Sequence, residues 1–378
     1  MLRRDFLLSV VATFFLFLAV SALFLLPRQL VGLGASDAEI GLVMGSMQVA
    51  TLVAMPLVGT WLHRVGARGF MIRGAALMCA TCVALSQTGS LSWVLVLVRL
   101  VQGLGFAMFF VSVGALVVEV TPESRRAQGL ALWGVAVLVT QALAPCLSER
   151  LLETRSFSDL WRAAAGACAV AAVSSLLLTR TAPPGGVPSP LTRLLRLRPV
   201  ALAEVAVMSS GIGFGSIISF LAAYTERIEI GTVAPFFGAY FASSVLVRVF
   251  GGSLADRGDR RRVVIPSLVA AGAAVAGLSL VSSGLHLATV GLVFGAGHGL
   301  SYPTLMAFVV DQARPIDQPR VVALNNWSFT VGMLAGSIGF GPLSGLVGTR
   351  AAYAAVGAIG LAAAALLALS GKPAARAA

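Results

Sequence analysis

Few side chains in this sequence could do chemistry, and most of those few lie inside apolar runs. Arg99-Leu-Val-Gln102-Gly103-Leu-Gly105 sets a guanidinium and a carboxamide one helical turn apart, on one face of a helix. Such a pair can hold an anionic or hydroxyl-bearing group. His298 stands in Gly295-Ala-Gly297-His298-Gly299-Leu-Ser-Tyr302-Pro303, where an imidazole can take up and release a proton. Glu204 is the carboxylate best placed to fall within an apolar run of the second half of the chain. Cys79 and Cys82 have CxxC spacing, yet no second Cys/His pair stands nearby to complete a metal site. With Cys146 and Cys168 they read as small hydrophobes. No nucleophile–base pair and no GxxxxGK[ST] phosphate loop occurs, so neither an enzyme, a cofactor nor direct use of ATP is expected.

These residues must be positioned by elements whose solvent is lipid. Of 378 residues, 58% are apolar and 11% charged, against about 45–50% and about 25% in ordinary globular chains. The net charge of +12 would suit nucleic acid, but the basic residues are scattered between apolar runs and form no continuous face. Stretches free of Asp, Glu, Lys and Arg run over 6–27, 40–63, 74–98, 100–118, 127–148, 163–179, 205–225, 230–247, 263–310, 321–349 and 351–371. A helix needs about 20 residues to cross the hydrocarbon layer. Ten stretches therefore supply one span each, and 263–310 supplies two, joined at Ser282-Ser283-Gly284. The first run is too long for a signal peptide and lacks a small-residue cleavage site. The expectation is an all-α integral membrane protein of twelve transmembrane helices. Arginine and lysine are about threefold commoner on the segments that are cytoplasmic when the N-terminus is inside, so both termini are expected in the cytoplasm. Twenty-six arginines against one lysine match GC-rich bacteria, hence a bacterial inner membrane. Residues 180–198 combine Pro, Gly and four arginines and divide the chain into six-helix halves, 1–179 and 199–378. The portion 191–198, LTRLLRLR, fits either a surface-lying amphipathic helix or a plain tether.

The halves repeat. Gly59-Thr-Trp-Leu-His63-Arg64-Val-Gly66-Ala67-Arg68 follows span two, and Gly252-Ser-Leu-Ala-Asp256-Arg257-Gly-Asp259-Arg260-Arg261 follows span eight, 193 residues on. Span four ends Ala115-Leu-Val-Val-Glu119 and span ten ends Ala307-Phe-Val-Val-Asp311, 192 residues apart. Two matches at nearly one offset indicate duplication. The Gly-xxx-Asp-Arg-x-Gly-Arg-Arg template after spans two and eight resembles the major facilitator superfamily, as do the twelve helices and the basic linker. Arg99-Leu-Val-Gln102-Gly103-Leu-Gly105 is similar to the RxxQGxG element of that superfamily's proton-coupled exporters. Pro145, preceded by Ala144, departs from the Gly-Pro element of its drug antiporters.

The resemblance implies two pseudo-symmetric bundles that rock about a central cavity lined by spans one, four, seven and ten. The lining would then include Phe14, Phe17, Arg99, Gln102, Phe106, Ser209, Ser210, Phe214, His298 and Tyr302. Gln48, Gln141, Tyr240, Asn325 and Trp327 would contribute from the flanks. His298 and Glu204 are the candidates to carry a coupling proton, although Glu204, about 8 Å from the cytoplasmic face, fits plain interfacial exposure. Arg248, near the end of span eight, reads as structural. In the loops, Gly59 and Gly252 would let helix ends approach closely. Arg64 and Arg68 would reach Glu119, Arg257 and Arg261 would reach Asp311, and Asp256 would face a helix N-terminus. His63 cannot supply that fixed charge, and the loop residues together are expected to act as a gate that holds the cytoplasmic side closed. The expected activity is export of a small amphipathic or anionic organic solute in exchange for protons, by a monomer embedded in the bilayer. The alternatives are an uptake symporter or facilitator of the same fold and a transport-dead receptor. Single cysteines introduced within 60–68 and within 253–262 are expected to label from the same side of the membrane. Labelling from opposite sides would refute the duplication.

Overall fold

The computed structural model describes residues 4–121, 126–179, 198–256, 260–312 and 318–369. These form an all-helical multi-pass membrane protein whose chain divides into two compact units. One comprises Met1–Gly186 with Thr232–Ala234, the other Val187–Gly231 with Pro235–Ala378. Among the described residues ten helices are long and apolar enough to cross a membrane. Two further helices of similar length are Phe157–Leu176 and Ala234–Asp256. The apolar side chains left on the surface, Leu42, Val53, Trp93, Leu280 and Leu346 among them, suit a lipid solvent.

In the first unit α1 (Arg4–Ala22) runs through a 3-10 turn, Leu23–Leu25, into α2 (Leu26–Gly32). Then come α3 (Asp37–Val65), α4 (Ala67–Ser86), α5 (Trp93–Val120), α6 (Arg126–Leu152) and α7 (Phe157–Leu176). Ser36 and Glu39 close a capping box at the start of α3, and Ser156 and Asp159 close another at the start of α7. Hydrogen bonds from Ser156 hold the Asp159 carboxyl below the usual carboxylate range. That cap is at full strength above the range and is lost as pH falls through the lowered value. A single residue, Gly66, joins α3 to α4 at φ +76°, a conformation that suits glycine. Residues Thr232–Ala234 join this unit at Glu149, which accepts from Thr232 Oγ1 at 2.6 Å, Val233 N at 2.6 Å and Ala234 N at 3.2 Å.

The second unit holds α8 (Arg198–Arg227), α9 (Ala234–Asp256), α10 (Arg261–Gly277), α11 (Gly284–Gln312), α12 (Gln318–Val347) and α13 (Thr349–Leu369). The break between α10 and α11 falls at Val281–Ser283, as the Ser-Ser-Gly turn predicts. One expected boundary is wrong. The stretch 74–98 is not one span: α4 ends at Ser86 and α5 starts at Trp93. A count of charges cannot register a turn such as Gln87-Thr-Gly-Ser, which is polar but uncharged. The linker residues 180–197, with most of LTRLLRLR, lie outside the described residues.

Small residues set the helix spacing, as they do where lipid removes any hydrophobic drive for helices to associate. A Cβ added to Gly103 of α5 would sit 2.1 Å from the Met47 carbonyl oxygen of α3, and Thr51 Oγ1 donates to the Gly103 carbonyl at 3.2 Å. A Cβ on Gly295 of α11 would sit 2.3 Å from the Tyr240 carbonyl oxygen of α9, and Ser244 Oγ donates to the Gly295 carbonyl at 3.0 Å. Gly105 packs on Gly74 of α4, and Gly297 packs on Ser267 of α10. Each pair in the second unit lies about 193 residues beyond its counterpart, so these contacts repeat between the two units. The α8–α12 crossing is equally tight: Gly211 and Gly215 face Phe329 and Met333, while Gly332 and Gly336 face Met208 and Ile212. Gly59, by contrast, borders open space, so the close approach expected there is not made. Gly103→Val or Gly295→Val should cost about 2–3 kcal/mol in thermal unfolding of the detergent-solubilised protein. Gly59→Val should stay within about 1 kcal/mol.

Candidate functional site

In the first unit the staple at Gly103 fixes α5 against α3 and so positions Arg99 one turn earlier. Its guanidinium is 2% exposed. Nη1 donates to Gln102 Oε1 at 2.8 Å, Nε donates to the Val43 carbonyl at 3.4 Å, and Nη2 lies 4.0 Å from Met44 Sδ. All three partners are neutral, and among the described residues no carboxylate meets Arg99. Gln102 Nε2 and Gln48 Oε1 are buried without hydrogen-bond partners. Lower on the same helix Phe106 stacks on Phe110 at 5.3 Å. Phe17 lies 5.7 Å from Phe106, and Trp133 lies 5.6 Å from Phe110. Trp133 Nε1 donates to Thr13 Oγ1 at 2.9 Å. The arrangement offers one buried cation and a separate aromatic face.

The second unit is different in content. His298 is 7% exposed and sandwiched between Phe214 at 5.4 Å and Phe294 at 5.3 Å, with Phe329 at 5.8 Å, Tyr302 at 6.1 Å and Tyr240 at 6.2 Å. Its neighbours Gly297 and Gly299 press on α10 and α9, which leaves the imidazole one direction to project. Nδ1 has no hydrogen-bond partner, and the ring borders a cavity of about 20 Å³ shared with Ser209, Ser210 and Phe294, room for one water. Ser210 itself donates to the Ala206 carbonyl at 3.1 Å.

Glu204 departs from the expectation of interfacial exposure. It is 5% exposed, and neither carboxylate oxygen has a hydrogen-bond partner. The α8–α12 glycine crossing draws α12 over it, bringing Ser328 alongside, and Tyr302 of α11 acts on it electrostatically. Asn325 is fully buried, both side-chain polar atoms are unpartnered, and it lies beside Tyr302. The Tyr302 hydroxyl donates to Asn326 Oδ1 at 2.6 Å. Arg248 is not a bystander at the end of α9: it donates to the Gly299 carbonyl at 3.2 Å and acts on Tyr240, Tyr302 and His298. Trp327 stands on the other face of α12, 46% exposed, away from this group.

Sequence reasoning named Glu204, His298, Tyr302 and Asn325 separately and missed Asn326, Ser328 and Phe329 of α12. The repeat could have found them. At the same offset His298 corresponds to Phe106, Tyr302 to Phe110, Asn325 to Trp133 and Ser328 to Ala136. At an offset of 193 Glu204 falls on Val11. One scaffold thus carries an aromatic set in the first unit and a polar set in the second.

The loop residues behave differently from expectation. Arg68 does not pair with Glu119, which is exposed. It donates from Nη2 to the Leu176 carbonyl at the end of α7, at 2.7 Å, because the one-residue turn at Gly66 starts α4 beside that helix end. Arg64 is exposed. Asp311 takes Arg260 at 2.7 Å, and Arg261 lies over the Phe308 ring at 5.9 Å. The side chains of His63, Gly252 and Asp256, and all of Arg257, lie outside the described residues.

The sequence signature of the Major Facilitator Superfamily matches residues 6–239 and 205–378. An uncharacterised MFS-type transporter of Enterobacter sp. (strain 638) is 26% identical over 346 residues, 88% of this chain and 87% of its own. The multidrug resistance protein MdtL of Escherichia coli O157:H7 is 29% identical over 161 residues, 42% of this chain and 40% of its own. Among solved structures, the nucleoside transporter NupG superposes with a TM-score of 0.80 at 14% identity, over 97% of this chain and all of its own. A POT family transporter in complex with 5-aminolevulinic acid gives 0.80 at 14% identity over 97% and 96%. The Enterobacter relative and both solved structures are named as transporters.

Lysine carries a charge but cannot reproduce the forked contacts of Arg99. Arg99→Lys should therefore lower stability by about 1–3 kcal/mol, read as the melting temperature in detergent.

Proposed function

We propose that this chain, which belongs to the Major Facilitator Superfamily of transporters, exports a small amphipathic organic solute by alternating access in exchange for protons. One observation carries this reading: the enclosed, unpartnered carboxylate of Glu204. Several kcal/mol oppose an unpaired charge there. Taking up a proton removes that charge, and losing the proton restores it, so the protonation state of Glu204 can bias which conformation is populated. His298, boxed by rings with Nδ1 unpartnered, is the second candidate and has Arg248 and Tyr302 as its polar neighbours.

The amphipathic character of the solute is supported by the inventory of each unit. The first offers Phe17, Phe106, Phe110 and Trp133 as an aromatic face beside the cationic Arg99–Gln102 pair. The second offers carboxylate, carboxamide and hydroxyl groups within a ring of aromatics. A proton-driven exporter is also in keeping with the RxxQGxG element, and an organic solute with the name of the partial relative MdtL, a multidrug resistance protein. The arginine distribution supports both termini lying in the cytoplasm of a bacterial inner membrane, with the protein acting as a single chain.

The test is flux in proteoliposomes under an imposed pH gradient, with ethidium and chloramphenicol as probes. Glu204→Gln is expected to reduce gradient-driven movement at least tenfold, on the order of the barrier expected for losing the coupling step. Undiminished flux with an unchanged pH profile in the double variant Glu204→Gln, His298→Ala would exclude both residues from coupling.

A further inference from the structure

We infer that Glu204, Asn325, Ser328 and the hydroxyl of Tyr302 form a binding site for a small monovalent cation, sodium being the one that fits, within the second unit. Four polar atoms there are buried without partners: both oxygens of Glu204 and both polar atoms of Asn325. Ser328 lies beside Glu204, and Tyr302 lies beside Asn325 and within electrostatic reach of Glu204. Tyr302 spends its proton on Asn326 Oδ1 at 2.6 Å, which leaves its oxygen lone pairs available. Buried polar atoms are rarely left unsatisfied, because each costs about 1–3 kcal/mol.

The identity of the ligand follows from the donor set. Every group offers oxygen, the preference of hard cations, and the four side chains include no imidazole or thiolate to attract softer metals. One carboxylate neutralises one positive charge, which matters in a low-dielectric interior. Magnesium or calcium would leave a net positive charge and would want more anionic oxygens than one side chain gives. Arg248 does not supply the missing charge at Glu204, since its electrostatic partners are Tyr240, Tyr302 and His298.

The repeat provides an internal control. The equivalent positions of the first unit hold Val11, Trp133, Ala136 and Phe110. The glycine contacts of α11 repeat on α5, whereas at the α8–α12 crossing the glycines 211, 215, 332 and 336 correspond to Leu18, Ala22, Thr140 and Ala144, so the oxygen-bearing group goes with a crossing that the first unit does not share. The site shares Glu204 with the proposed proton step, and sodium and proton occupy that carboxylate in turn.

The experiment is thermal unfolding of the full-length protein in detergent at constant pH and ionic strength, with choline chloride replaced stepwise by NaCl, LiCl or KCl. Sodium is expected to raise the melting temperature by a few degrees, growing with the logarithm of concentration above half-saturation. Ser328→Ala should raise the half-saturating concentration several-fold, and Glu204→Gln and Asn325→Leu should abolish the shift. A melting temperature indifferent to all four salts in the wild-type protein overturns the site. So does a sodium shift that survives both Glu204→Gln and Asn325→Leu. Gradient-driven flux measured in choline chloride alone separates this result from the export reading. Flux without a sodium shift removes the cation site and leaves proton-driven export. A sodium shift with flux indifferent to pH does the reverse.

Discussion

Two glycines, one in each unit, let neighbouring helices approach more closely than any side chain would allow. Where Gly103 meets Met47 and where Gly295 meets Tyr240, a carbonyl oxygen occupies the space a side chain would need. A hydroxyl, from Thr51 in one case and Ser244 in the other, then bonds the glycine carbonyl across the gap. In lipid, packing and interhelical hydrogen bonds are what hold helices together, so these two staples fix where α5 and α11 stand. Every group discussed above on those helices, from Arg99 to His298 and Tyr302, takes its position from one or other staple.

Much of this was legible in the sequence. Apolar runs gave the span count because lipid tolerates few charges, and the arginine-rich loop copies revealed the repeat because their spacing survives divergence. Arg99 and His298 stood out because ionisable groups are rare at such depth. The end of α4 was not legible, since uncharged polar turns escape a count of charges. Nor was the burial of Glu204, which depends on Gly211, Gly215, Gly332 and Gly336 drawing α12 over α8. Spacing along one helix carries no information about its cover by another. The partner of Arg68 was misread for a related reason. A one-residue turn at Gly66 aims that side chain at the end of α7, and linear distance along the loop does not register this.

Duplication makes the asymmetry informative. Two units that share the glycine contacts of α5 and α11 differ in what they enclose. The first sets a lone guanidinium above aromatic rings, and the second boxes an imidazole in rings and keeps an unpartnered carboxylate and carboxamide near Tyr302. Buried polar groups that a scaffold can do without are costly to keep, and function is the usual reason for keeping them at membrane depth.

The most direct test gives the second unit the residues that the first unit uses at the same places, with Glu204→Val and Ser328→Ala combined. If the polar group serves transport and not folding, the variant should melt within a few degrees of the parent, because apolar replacement of buried, unpaired polar groups is close to neutral. Its ethidium or chloramphenicol movement under a pH gradient should fall to the level of empty liposomes. A folded variant that still moves the probe at the parent's rate, or one that no longer folds, would contradict the account.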